Sequence, residues 1–243
     1  MKSFSHYLIE SVSNDISHWK SEPYSQLGSN PGGIHYDENN NKHYVKFYRN
    51  PEQARAEYAT NRIYDHMGIN VPKASLVKKG STVGISTPWN SELDQVHPHE
   101  LRNTSPETAH HIAKMYHAAV LTKNWDIIGN HPYNIQKDHQ GNIHNIDQGG
   151  SLHFRAMGGH KDYDAGVGEI HSLRDPGNSS GQVFNKVFSQ HPGAEKQSLE
   201  SSVKTIDPNH IHGIFKEAGF ANHKEMADIF EKRRQALINH YKA

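Results

Sequence analysis

The chain has 243 residues, with 26 Lys and Arg against 26 Asp and Glu, 21 His and no Cys. Net neutrality argues against a dedicated nucleic-acid binder, because no basic excess exists to release counterions, and the absence of Cys excludes disulfides, thiolate zinc sites and Cys nucleophiles. No run approaches the roughly 18 apolar residues of a membrane span, and the first residues lack the apolar core of a signal peptide, so a cytoplasmic protein is expected.

Leu, Ile, Val and Phe make just under a fifth of the residues, which at zero net charge reads as a polar but folded protein. The His are scattered through every segment, and no HExxH or similar pair lines one helix face. A His-metal site is therefore not expected.

In chain order, residues 1–20 read as a short amphipathic helix with Phe4, Tyr7, Leu8 and Val12 at helical spacing. Residues 23–47 read as strands: EPYSQ, the Gly-rich turn LGSNPGG, GIHYD, the turn ENNNK, then HYVKF. NPEQARAEYATNRIYDHMG reads as a helix capped by Asn50, with Pro51 at its first position and Gly68 as its stop. Ala56, Ala59, Ile63 and Met67 form its apolar stripe. KASLVKK and STVGIST follow as strands, giving β-β-β-α-β-β over 23–88, and Pro88–Pro98 reads as a connector.

A long helix is expected next, with Ser105 as N-cap and Glu107 in the first turn, where the helix dipole favours it. Ile112, Met115, Tyr116 and Ala119 form its stripe. A loop and a hairpin then span DIIGNHPYNIQKDHQGNIHNIDQGGSL, and a Gly-rich region follows it. Residues 182–190, 194–205, 208–219 and 222–242 read as helices, and no internal repeat is evident.

Four elements carry candidate chemistry. In the turn before GIHYD, Gly28, Ser29, Gly32 and Gly33 could let backbone N–H groups approach phosphate oxygens. Lys46, in HYVKF, could neutralise phosphate charge. Glu57 on the following helix could hold Lys46 in place, with Glu52 as its competitor. Asn134 and Asp147 lie at the two ends of the hairpin, which brings them to one cleft. Mg²⁺ prefers such oxygen ligands and takes the rest from phosphates and water. For any one of these residues alone, ordinary turn, helix-surface or strand-edge chemistry is the competing explanation.

The order Gly-rich loop, strand Lys, helix Glu, connector, long helix, loop Asn and Ile-Asp-x-Gly resembles the protein-kinase-like superfamily, in its divergent HipA-type and phosphoinositide-kinase-type branches. The resemblance spans residues 24–155. It implies an α+β, bilobal fold with a β-rich N-lobe at 21–88 and a helical C-lobe at 89–243, preceded by the segment 1–20. It implies an ATP- and Mg²⁺-dependent phosphotransferase acting on a hydroxyl, most readily of a protein; the charge balance and the lack of a long apolar run already lead to no nucleic-acid or membrane partner being expected. Asp147 stands at the metal-binding Asp of a DFG-like motif (here DQG), Asn134 at the catalytic-loop Asn, Lys46 at the phosphate-binding Lys, and Thr87–Trp89 near the interlobe hinge.

One departure bears on activity. The family's catalytic-loop Asp, about five residues before the Asn, is here Gly129. Asp126 is the nearest upstream acid. An inserted bulge would let it act as base; otherwise the loop has none. Two alternatives on this fold therefore stay open: transfer of AMP from a reversed nucleotide, and a non-catalytic pseudokinase or interaction module. MKSFSHYLIE also resembles the leader of internal proteins packaged by T4-like phages, with Leu8-Ile9-Glu10 at the cleavage pattern; an ordinary docking helix is the alternative.

Overall fold

The computed structural model describes residues 12, 14–97, 100–129 and 132–242. Phe4, Tyr7 and the Leu8–Glu10 leader pattern lie outside these residues. The end of the segment expected to be helical is instead extended. Ile16 donates to Lys78 O and Asn14 O accepts from Lys78 N, both at 2.8 Å, while Ile16 packs with Val45 and Val77. Asp15 accepts from Ser17 N and Oγ at 2.9 and 2.6 Å. That local side-chain turn competes with a helix, and the sheet edge supplies the alternative partners.

Five antiparallel strands form the main sheet: β1 (Lys20–Ser21), β2 (Gly32–Tyr36), β3 (Lys42–Phe47), β4 (Ser75–Lys79) and β5 (Thr82–Pro88), in the order β1-β2-β3-β5-β4. EPYSQ, expected as a strand, is not one; the pairing partner of β2 lies just before it. Lys46 sits mid-sheet, opposite Gly32 on one side and Ile85 on the other. A Cβ on Gly32 would stand 2.0 Å from Val45 O, so close strand approach requires this glycine.

Helix α1 (Pro51–His66) follows β3. Asn50 accepts from Glu52 N at 3.0 Å as its cap, and Gly68 takes a positive φ just past its end. Ala56, Ala59, Ile63 and Met67 are buried as the periodicity predicts, yet Gln53, Arg55, Glu57, Thr60 and Asn61 are buried too. From Gln53 to Asn61 every residue is buried, while Asp65 and His66 near the end are exposed; the sheet and α2 (Pro106–Thr122) both pack against the helix. The cap of α2 is Ser105, which accepts from Thr108 N at 3.1 Å.

The connector holds a short strand, β6 (Asp94–Gln95), paired to β7 (Ile135–Lys137), which pairs with β8 (Ile143–Asn145). The helical part continues with α3 (Glu169–Ser172), α4 (Ser179–Gln190), α5 (Ala194–Ser198) with a π-helical turn at Leu199–Val203, α6 (Pro208–Glu217) and α7 (His223–His240). The short α3 falls in the Gly-rich region after the hairpin. One continuous apolar cluster runs from Tyr48, Val83 and Ile85 through α1 and α2 to Phe230 and Leu237 on α7. No helix among the described residues is long and apolar enough to cross a membrane.

Candidate active site

The site grows from a strand, a helix and two loops. Lys46 near the end of β3 and Tyr48, the residue just past it, both turn toward α1 and reach Glu57. Glu57 receives both: the Lys46 ammonium pairs with Oε1, and the Tyr48 hydroxyl donates to Oε2. Glu57 is 2% exposed, so the pair is shielded from solvent screening. Burial alone would push the Lys46 ammonium down, but Asp147 and Glu57 outweigh it and hold the amine well above its ordinary value. Burial pushes the Tyr48 hydroxyl up, with Glu57 adding to it, so it stays a donor. Glu52, the competing partner, instead lies beside Arg55 at 3.4 Å.

Lys46 also reaches Asp147 Oδ1 at 3.2 Å. That oxygen accepts from Gly149 N at 2.9 Å, the turn chemistry expected of Asp-Gln-Gly. The second oxygen, Oδ2, has no hydrogen bond among the described residues. The Asp147 side chain is 42% exposed. Gly149 has little room for a side chain: a Cβ there would meet Asp147 Oδ1 and Tyr48 OH at 3.2 Å each.

The loop after α2 supplies Asp126. Lys123 ends the helix with a φ of 52°, and Asn124 Oδ1 accepts from Asp126 N at 3.0 Å. Asn134 Nδ2 donates to Asp126 O at 2.6 Å, which aims the amide nitrogen at the loop and leaves Oδ1 free among the described residues. Asn145 braces the same loops, donating to Ile127 O and Asn134 O at 3.0 Å each. Burial raises the Asp126 carboxyl, and Asp147 raises it further; hydrogen bonding from Asn134 works against both.

Asp126, Asp147 and Lys46 line one cavity of about 350 Å³, together with Gly28, Ser29, Asn30, Tyr44, Gly149, Ala156 and Met157. The site residues expected from sequence thus separate into groups. Gly28 and Ser29 line the cavity. Gly32 and Gly33 do not: they are β2 residues, where a Cβ would collide with Val45 O or Ser25 Oγ, so their small size serves strand packing. Glu57 lies behind Lys46 as its holder. Asn134 is not among the lining residues but is hydrogen-bonded to Asp126. Thr87 and Trp89 lie where β5 gives way to the connector, Trp89 N donating to Lys42 O at 2.9 Å.

Sequence reasoning missed Tyr48, although it lies only two residues after Lys46. It also missed Tyr44, Ala156 and Met157, whose place at the cavity depends on tertiary folding. Lys161 was missed as well. It is 6% exposed and donates to Gly150 O at 2.7 Å and to Lys123 O, tying the loop after Asp147 to the loop before Asp126. No local pattern announces a buried lysine.

Among the described residues, no three His, Cys, Asp or Glu side chains stand together as a metal-binding group. The donor set near the cavity is two carboxylates and one amide oxygen. That is hard oxygen chemistry and fits Mg²⁺, which is commonly held by one or two protein side chains plus substrate phosphates.

No protein-family model matches the sequence and no curated protein matches it. Solved structures do. The chain is similar to the Helicobacter pylori proinflammatory kinase CtkA, at 17% identity over 90% of this chain and 93% of that one, with a TM-score of 0.61. The fold is protein-kinase-like. A second similarity is to the N-terminal 618-residue fragment of LepB from Legionella pneumophila, at 13% identity and a TM-score of 0.51, over 76% of this chain and 35% of that one. A fainter one, at a TM-score of 0.41 and 12% identity, is to the HipA toxin–antitoxin complex of Shewanella oneidensis MR-1, over 89% of this chain and 67% of that one. At these identities the likeness speaks to fold.

Proposed function

We propose that the protein transfers the γ-phosphoryl group of ATP to a hydroxyl, on a protein acceptor, with Mg²⁺ as cofactor. The observation that carries this reading is the convergence of Asp126, Asp147 and Lys46 on one cavity under Gly28 and Ser29. The acceptor oxygen would form a bond to the γ-phosphorus as the bond to the β-phosphate oxygen breaks, leaving ADP, and the hydroxyl proton would pass to Asp126. Lys46, fixed by Glu57 and Tyr48, would bind phosphate oxygens. Asp147 and Asn134 would hold the metal, whose charge offsets that of the transferring group. Such transfer depends mainly on positioning and electrostatics, which a pre-paired lysine and two anchored loops supply.

Gly129 at the expected base position favours a non-catalytic reading; Asp126 inside the cavity favours the active one. Adenylyl transfer would use the same residues with the nucleotide reversed. ATP labelled separately on its α and γ phosphates tests the proposal. Label reaching acceptor protein from the γ position supports it, label from the α position indicates AMP transfer, and no transfer from either position contradicts both enzymatic readings.

A further inference from the structure

Beside the cavity lies a shelf that the nucleotide reading does not use. Trp125 directly precedes Asp126, and Arg155 directly precedes Ala156 and Met157; Asp126, Ala156 and Met157 all line the cavity. The Arg155 guanidinium lies 5.3 Å from the centroid of the Trp125 ring. The indole is held rigidly. Its Nε1 donates to Glu169 Oε1 at 2.9 Å, and the other Glu169 oxygen accepts from Arg233 at 2.5 Å. The Lys161 ammonium lies 4.6 Å from the same ring. Despite these restraints Trp125 is 42% exposed and Met157 80% exposed.

The charges on this shelf are unevenly satisfied. Lys123 pairs with Asp164 at 2.7 Å, and Arg233 is buried against Glu169. Arg155 is exposed, and no carboxylate pairs with its guanidinium among the described residues. A fixed aromatic face with a stacked, unpaired guanidinium suits a partner that offers apolar contact together with a carboxylate, which Arg engages in bidentate fashion.

We propose that Trp125 and Arg155 form the acceptor subsite, and that it takes a polypeptide segment with an acidic side chain close to the acceptor hydroxyl. In an extended segment, side chains on one face recur about every 7 Å. An acidic residue two positions from the acceptor hydroxyl would share its face of the segment. This rests on the phosphotransfer reading, of which it specifies the substrate class.

The test reads binding independently of chemistry. The Trp125 indole signal, assigned with a Trp125→Phe control, is followed by NMR while the full chain is titrated with three probes. These are a Ser peptide flanked by Asp and Glu, the same peptide flanked by Lys, and inorganic phosphate. The acidic peptide should shift the signal and bind at least about tenfold more tightly than the Lys peptide, the order expected of one charge-assisted contact. Arg155→Glu should reverse that order. Equal response to both peptides, no response to either, or an order unchanged in Arg155→Glu overturns the proposal. A response to phosphate as strong as that to the acidic peptide also overturns it, by showing an anion site rather than a polypeptide one. ATP binding measured in parallel separates failure of this subsite from failure of the nucleotide reading.

Discussion

Asp126 is the residue on which the proposed transfer turns, and its burial sets its charge against the stability of the fold. Burial, with help from Asp147, lifts its carboxyl above the ordinary range. The folded chain therefore holds a proton there over a pH window in which the unfolded chain has lost it, and stability falls as pH rises through that window. At neutral pH this upward shift costs stability. Asp126→Asn should consequently raise the melting temperature at pH 7 while lowering transfer by about 10²–10⁴, the range of a lost general base. A variant that is less stable and equally active contradicts the assignment. In the nucleotide- and metal-free protein, Asp147→Asn should lower the Asp126 pKa toward its usual value without fully restoring it, because burial remains. NMR titration of the Asp126 carboxyl checks this; an unmoved pKa would mean the two carboxylates do not share a field.

Helix α1 shows why Lys46 and Glu57 are already paired. Arg55, 2% exposed, donates to Ala218 O at 2.5 Å, and Tyr58 donates to Glu217, so the helix is pinned to the end of α6. Outward movement of α1 would strand a buried guanidinium. Gly219 sits against that contact, with a φ of 81° and a would-be Cβ only 1.9 Å from Arg55 Nη1. Gly219→Ala should destabilise the protein by about 1–2 kcal/mol from backbone conformation alone, with displacement of Arg55 adding to it. Transfer activity should fall as well, although the site lies elsewhere. Urea unfolding and transfer assays check both effects, and unchanged activity in a destabilised variant would show that α1 placement does not limit the site.

The Gly150–Lys161 tie belongs to the same scale. Burial pushes the Lys161 amine down to about 7. From there to the unfolded value of roughly 10.4, the unfolded chain binds the extra proton, so this group makes stability rise with pH. Lys161→Met should flatten that rise when urea midpoints are compared at two pH values inside the window. Parallel pH dependences in the two proteins would contradict it.

Across the whole molecule, what was legible in sequence was local. Asn50, Pro51 and Gly68 announce α1, Ser105 announces α2, and alternation announces β2 to β5. The order of Lys46, Asn134 and Asp147 points to the fold. Distance in sequence hid the rest. Gly32 and Gly33 look like a phosphate loop because glycine permits both close ligand approach and close strand approach, and only the pairing with β3 separates the two. Ile16 has helical spacing from Val12, but the open edge of β4 competes for its backbone. Asp126 could not be placed by counting back from Asn134; the hydrogen bond from Asn134 to its carbonyl sets its position. A shared device also escaped notice. Asp37 and Asp138 fold their hairpins alike, each accepting from backbone amides two and four residues on, and each lying near a His six residues on at 3.4 Å. The two turns share Asp, Asn and His at their first, fifth and seventh positions, and these are the residues that make the contacts.

In the proposed function one cavity joins a nucleotide, a metal and a base. Calorimetric titration of ATP, with and without Mg²⁺, into the wild-type chain and Asp147→Ala tests it most directly. Binding that Mg²⁺ strengthens in the wild type, with no such strengthening in Asp147→Ala, is the expected result. Mg²⁺-strengthened binding that survives in a folded Asp147→Ala protein, or no binding to the wild type under either condition, would contradict it.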